Sequence, residues 1–212
     1  MIQLHSFTFG PFQENTYLLW DETGECLIVD PGNNSNSENQ QLSQFISEKK
    51  LKPVRLLLTH GHIDHINGNK YVHDTYGLLP EVHRDDLFFI ERHQDTGAMY
   101  GLPVDPSPMP QTYLKEGDCI RFGNSELQVI HTPGHSPGHV TFYNLADGFM
   151  VSGDVLFYGS VGRSDLPKGD HNTLIASIKN KLFPLGDAMK VYSGHGPSTT
   201  IGFEKANNPF LV

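Results

Sequence analysis

Two cysteines in 212 residues are too few for a disulfide framework, and a chain of this length does not need one. Cys26, in Cys26-Leu27-Ile28-Val29, and Cys119, before Ile120-Arg121-Phe122, both read as small core residues. No apolar run approaches the ~20 residues of a membrane-spanning helix, and neither a repeat nor a low-complexity tract is visible. The opening Met1-Ile2-Gln3-Leu4-His5 has no basic start and no apolar signal stretch, so a cytoplasmic location is the expectation. Cations are scarce as well. Fifteen Lys and Arg face 24 Asp and Glu, a formal charge of −9. That balance argues against a nucleic-acid partner, which needs a basic surface, but leaves room for an anionic substrate held by one or two local cations.

With 37% apolar residues the chain is expected to be globular. It is long enough to bury roughly 70% of its extended surface, and residues 1–212 read as one domain. Thr16–Trp20 and Cys26–Val29 are strands flanking the turn Asp21-Glu22-Thr23-Gly24. Leu42, Phe45 and Ile46 recur at helical spacing, predicting a helix over Glu38–Lys50 with Ser37 as its N-cap. Pro53 stops it, and the apolar run Val54–Leu58 predicts a strand buried on both faces. A helix from about Asp64 to Tyr76, a strand over Leu79–Val82 and a helix over Asp85–Arg92 follow. Gly97–Pro110, rich in proline and aperiodic, reads as a long loop or cover. Strands then return at Ile120–Phe122, Leu127–Ile130, Val140–Tyr143 and Phe149–Ser152. A helix over Thr173–Leu182 and a strand at Val191–Ser193 close the pattern. Strand-rich and helical stretches thus alternate in two batches, which fits a β-sandwich with helices outside.

The densest chemistry lies in His60-Gly61-His62-Ile63-Asp64-His65. Imidazole nitrogen and carboxylate oxygen both suit zinc. A regular helix cannot aim all four side chains at one point, because only residues three or four apart share a face. His60 and His62 need a non-helical turn, and the adjacent Asp64 and His65 must diverge. Two neighbouring ions suit the run better than one.

Three further segments repeat this design of an apolar strand running into a Gly/Pro-rich turn. Val129-Ile130 leads to His131-Thr132-Pro133-Gly134-His135, Met150-Val151 to Ser152-Gly153-Asp154, and Val191-Tyr192 to Ser193-Gly194-His195. Polar groups on loops at strand ends, held by a rigid scaffold, are a common way to build an active site.

Thr59-His60-Gly61-His62-Ile63-Asp64-His65, followed in order by His135, Asp154 and His195, resembles the signature of the metallo-β-lactamase superfamily. His131-Thr132-Pro133-Gly134-His135-Ser136-Pro137-Gly138-His139 and Ser152-Gly153-Asp154-Val155-Leu156-Phe157 resemble its hydroxyacylglutathione hydrolase (glyoxalase II) branch. Gly162-Arg163-Ser164-Asp165-Leu166-Pro167, Gly169-Asp170 and the ending Asn208-Pro209-Phe210-Leu211 resemble the short bacterial type II enzymes of that branch. The resemblance implies an α+β fold, the αββα sandwich, with metals at the loop ends between two sheets. It implies one ion on His60, His62 and His135, a second on Asp64, His65 and His195, and Asp154 bridging both. The ions would be zinc first, with iron or manganese as alternatives.

Asp64 and Asp154 then carry the chemistry with the metals, a metal-bridging hydroxide attacking the thioester of S-D-lactoylglutathione or a related acylthiol. Asp30 matches a carboxylate that fixes a ligand imidazole. Arg163 and Tyr158 are candidate substrate contacts, although Arg163 has Asp165 and Asp170 nearby as salt-bridge partners. His131 and His139 match non-ligand positions, and His5, His73, His83, His93 and His171 read as surface or core histidines. Longer members of the branch carry an extra C-terminal helical domain that grips glutathione, and the expectation here is a single domain without it. The rival implied by the same superfamily is a mononuclear-iron persulfide dioxygenase using His60, His135 and Asp154. A secreted β-lactamase is disfavoured for want of a signal stretch. The expected partner is a small-molecule thioester, with no nucleic acid or membrane, in a monomer or small homo-oligomer.

Overall fold

The computed structural model describes all residues from 1 to 212. Six strands form the first sheet in sequence order: β1 (Gln3–Phe9), β2 (Glu14–Trp20), β3 (Glu25–Val29), β4 (Lys52–Leu57), β5 (Pro80–His83) and β6 (Thr112–Leu114). The first two pairings are antiparallel and the last three parallel. Asp21 to Gly24 makes the β2–β3 turn, closed by the Gly24 N–H on the Asp21 carbonyl.

The second sheet begins with the meander β7 (Cys119–Phe122), β8 (Ser125–His131), β9 (Val140–Asn144) and β10 (Phe149–Gly153). A small ribbon, β11 (Leu156–Phe157) and β12 (Ser160–Val161), interrupts it. β13 (Lys190–Ser193) then pairs parallel to β10, and β14 (Thr199–Thr200) lies at the edge.

The period-two alternation of the strands decides where each layer goes. In β2, β3 and β4, Leu19, Leu27, Val29 and Leu57 point inward and meet Leu127, Val129, Phe142 and Val151 of the second sheet. Their neighbours Leu18, Ile28 and Leu56 point outward under Leu42 and Ile46 of α1 (Asn36–Glu48) and Val72 of α3 (Asn69–Tyr76). On the far side, Met150 and Val191 lie under Leu174 of α6 (His171–Ser177) and Ile201 of α7 (Ile201–Asn207). The result is the expected αββα sandwich. Strands covered on both faces explain the almost unbroken apolar runs. Truncating a wholly buried residue such as Leu56 to alanine costs about 2–5 kcal/mol.

Several local expectations are corrected. Ser35, not Ser37, caps α1, its hydroxyl accepting from the Glu38 N–H. The helix expected over 64–76 is split into α2 (Ile63–Ile66) and α3, because the loop after β3 crosses the break. There the Gly68 N–H reaches the Pro31 carbonyl at 2.7 Å, and a Cβ on Gly68 would collide with the Asn33 amide. The segment 85–92 holds a single 3-10 turn and then α4 (Leu87–Glu91). The loop expected from Gly97 begins inside α5 (His93–Tyr100). Gly97 sits there under Val104, where a side chain would not fit. Cys119 is exposed on edge strand β7, with its thiol on Glu126, whereas Cys26 is fully buried. No helix is long and apolar enough to cross a membrane.

Candidate metal centre

Each of the four strand-end segments delivers its polar residues to the same end of the sandwich. β4 runs through Leu58 and Thr59 to His60, and the backbone stays non-helical until His62, which is extended at φ −66 and ψ 153. This is the turn that His60 and His62 require. Asp64 and His65 fall in the first turn of α2. The loops after β8, β10 and β13 bring His135, Asp154 and His195.

His60, His62 and His135 form one group. His62 Nδ1 lies 2.8 Å from His135 Nε2, and His60 Nε2 lies 3.2 Å from the same atom. Asp64, His65 and His195 form a second, with His195 Nε2 3.1 Å from Asp64 Oδ2 and His65 Nε2 3.8 Å from it. Asp154 stands between them. Its Oδ2 is 3.4 Å from His135 Nε2 and 3.5 Å from His195 Nε2, and its Oδ1 is 3.4 Å from His65 Nε2.

Most of the rings also have their second nitrogen committed elsewhere. His135 Nδ1 donates to the Arg163 carbonyl at 2.7 Å, and His65 Nδ1 to Asp30 Oδ2 at 3.0 Å. His195 Nδ1 reaches the Phe12 and Gln13 carbonyls at 3.1 and 3.2 Å. His60 Nδ1 contacts the Thr59 hydroxyl at 3.0 Å. Such bonds select the tautomer that leaves Nε2 with a free lone pair facing inward.

The set fits divalent cations. Inward-facing His65 Nε2 and Asp154 Oδ1 are buried without a hydrogen-bond partner. In an ordinary core such orphaned groups are costly. The His60, His62 and His135 nitrogens face one another, with Asp154 Oδ2 3.4 Å from His135 Nε2. Burial, followed by neighbouring histidines, holds His60 far below the usual imidazole range, and His62 down at about 3. Neutral imidazoles at His60 and His62 offer lone pairs to a cation.

The other half is electrostatically different. Burial opposes charge on His65 and His195, but Asp154 and Asp64 outweigh it. They raise His65 well above the usual range and His195 to about 10. Burial likewise opposes charge on the two carboxylates, and the histidines overcome it, holding both below the usual carboxylate range.

Asp30 adopts φ +50, a left-handed conformation rare for a residue with a Cβ. The bonds it makes offset that strain: the Thr59 N–H at 2.7 Å, the Thr59 hydroxyl at 2.5 Å and His65 Nδ1. Gly153, at φ +48, carries no side chain because a Cβ would strike Thr59 and His139. His139 is buried against the His60 ring, and its Nε2 accepts from the Asp154 N–H at 3.0 Å. His131 donates Nε2 to the Pro137 carbonyl and stacks on His83 at 4.4 Å with planes 7° apart. With Asp85 these two rings offer donor atoms within 4.8 Å of one another, but His131 Nε2 is engaged by the Pro137 carbonyl and His83 Nδ1 by the Asp85 N–H.

The Arg163 guanidinium is exposed and paired bidentately with Asp165, at 2.8 and 2.7 Å. Tyr158 is exposed and stacks on Phe203 of α7 at 4.9 Å. The aromatic rings that do border the donors are Phe89, 4.7 Å from His62, and Phe157, 6.1 Å from His195.

Sequence reasoning missed three buried residues here. Glu14 has Oε1 3.9 Å from His65 Nδ1, and burial raises its carboxyl well above the usual range. Asn15 ties down the His195 loop through the Ser193 and Gly196 carbonyls. Asp86 bonds to two of the ligand loops. Glu14-Asn15 ahead of the apolar run from Tyr17 was a usable signal, since polar residues inside a strand covered on both faces need a specific partner.

The model of the metallo-β-lactamase superfamily matches residues 9–195. The chain belongs to that superfamily, and with it to the metal-binding hydrolases. Among its relatives, the hydroxyacylglutathione hydrolase GloC of Haemophilus influenzae is 39% identical over 202 residues, 94% of this chain and 93% of that one. A solved structure described as the BLEG-1 B3 metallo-β-lactamase is 37% identical with a TM-score of 0.91, covering 99% of this chain and 100% of the other. TTHA1623, solved in a di-iron-bound form, is 40% identical with a TM-score of 0.88, over 98% and 100% of the two chains.

Proposed function

We propose that this protein hydrolyses thioesters with two divalent cations, its substrate being S-D-lactoylglutathione or a related acylthiol. The observation that carries the reading is the position of Asp154 Oδ2, at nearly equal distance from a nitrogen of each half. A carboxylate so placed suits a bridge between two ions held by His60, His62 and His135 and by Asp64, His65 and His195. Zinc, iron and manganese all accept such donors, and zinc is the first choice for a mixed nitrogen and oxygen set. When bound, two such cations polarise an acyl carbonyl and lower the pKa of a shared water.

The protein's own residues do the rest. The Arg163, Phe12 and Gln13 carbonyls and Asp30 hold the imidazoles in one tautomer. Phe89 and Phe157 border the donors with apolar surface suited to an acyl group. Arg163 lies at the rim, where a substrate carboxylate competes with Asp165 for the guanidinium. Near full-length similarity to a hydroxyacylglutathione hydrolase supports the thioester over other acyl compounds. A cytoplasmic location agrees with two cysteines that are not bridged. We place residues 1–212 in one domain, acting as a monomer or small homo-oligomer on a small-molecule thioester, without nucleic acid or membrane.

The test is metal analysis of the purified protein followed by a substrate panel. S-D-lactoylglutathione, several other acylthiols, a β-lactam and glutathione persulfide are compared on one preparation. The β-lactam is included because one structural relative bears that description. Two metal equivalents and thioester turnover above the other arms are expected. Oxygen uptake with the persulfide, or β-lactam turnover with none of the thioesters, would overturn the reading.

A further inference from the structure

Asp86 sits just before α4, far in sequence from every metal-site residue, and its side chain is wholly buried. It accepts three hydrogen bonds. Oδ2 takes the Gly61 N–H at 2.9 Å and the Ser136 hydroxyl at 2.7 Å, and Oδ1 takes the Gly138 N–H at 2.6 Å. Gly61 lies between His60 and His62, and Ser136 directly follows His135. One carboxylate therefore clasps both loops that carry the three-nitrogen half. The fit is close, since a Cβ on Gly61 would stand 2.9 Å from the Asp86 carbonyl and one on Gly138 2.7 Å from Oδ1. None of the three bonds reaches the loop of His195, and Asp64 and His65 follow Gly61 only after the chain has entered α2.

We propose that Asp86 is a positioning residue that sets the separation of His60 and His62 from His135, and so controls metal affinity in that half alone. The inference rests on reading those three histidines as the ligands of one ion. A carboxylate is the group this clasp requires, because each of its oxygens faces a backbone N–H that can only donate. An asparagine would have to turn its NH₂ toward one of the N–H donors. It would lose that bond and set two donors against each other.

The experiment uses two backgrounds that each disable one half. His195→Ala leaves the three-nitrogen half, and His135→Ala leaves the other. Metal-free protein is titrated with zinc against a chelating indicator. In the His195→Ala background, Asp86→Asn is expected to weaken the remaining ion about 10–100-fold, the usual effect of losing an outer partner. In the His135→Ala background it is expected to leave the affinity unchanged. Ser136→Ala, which removes one bond and keeps both backbone ones, is run in the same backgrounds. It is expected to give a weakening near tenfold, confined to the same half, and it decides the matter if Asp86→Asn does not fold.

Equal weakening in both backgrounds, or none in either, would overturn the role of Asp86. Failure of the underlying reading has a different signature. The unmutated protein would then not bind two zinc ions, or the single-half variants would not bind one each.

Discussion

The two halves of the donor cluster both rest on histidines at strand ends, yet only one has a carboxylate of its own, Asp64, and they differ in charge. Around His60, His62 and His135, burial and the neighbouring histidines outweigh the carboxylates of Asp30, Asp64 and Asp154 and hold His60 and His62 neutral far into the acid range. Around His65 and His195, Asp64 and Asp154 stabilise protons, and His195 keeps its own up to about 10. A carboxylate added to a histidine site thus does two things at once. It supplies a strong ligand, and in the metal-free molecule it protonates the neighbouring imidazoles, so the cation must displace protons to enter.

The largest effect that could break this comparison falls on the residue the halves share. Asp154→Ala is expected to lower thioester turnover by about 10³-fold, the several kcal/mol that metal-ion catalysis supplies, and to remove at least one ion. Full activity with two ions would show that no bridge is needed. Asp30→Asn comes next. It weakens the bond to His65 Nδ1, and a loss of about 10–100-fold in zinc affinity is expected in the Asp64, His65 and His195 half, read with His135→Ala as background.

Titration across pH sharpens the contrast. With only that half intact, zinc affinity should rise about tenfold per pH unit for each proton displaced, continuing toward about 10, where His195 releases its own. With only the three-nitrogen half intact, the slope between pH 6 and 8 should be shallower. Similar slopes would mean the halves are not electrostatically distinct.

The smallest effect on the centre belongs to Asp21, in the turn joining β2 and β3. Asp21 accepts from Thr23, Asn124 and Ser125, and these bonds outweigh burial to hold its carboxyl at about 2. Its contribution is present above the ordinary carboxylate range and lost as pH falls toward about 2. Asp21→Asn should lower unfolding stability at neutral pH by about 1–3 kcal/mol, flatten the acid side of the stability curve and leave zinc stoichiometry at two.

What could be read from the sequence was whatever is written locally. The alternation of Leu18 with Leu19 and of Ile28 with Val29 specified both faces of a sheet, and the glycine-rich His and Asp turns marked their own positions. Asp86 was hidden because it looked like one more charge in Arg84-Asp85-Asp86, at the start of a segment read as a helix. Its partners lie 25 and 50 or more residues away, and only the folded chain brings them together. Cys119 was misread because an edge strand exposes alternate residues regardless of their polarity. Gly97 was taken as the first residue of a loop, whereas it lies inside α5 and its lack of a side chain lets Val104 lie against that helix.

The carbonyls that orient His135 and His195 come from Arg163, Phe12 and Gln13, residues whose side chains are exposed. A main-chain carbonyl is the same whichever side chain hangs from its residue. Side chains at Arg163 and Phe12 can therefore change while the imidazoles stay aimed, whereas Gln13 is held to residues that accept its left-handed backbone at φ +55. Change at the entrance is thereby separated from the aim of the donor set within.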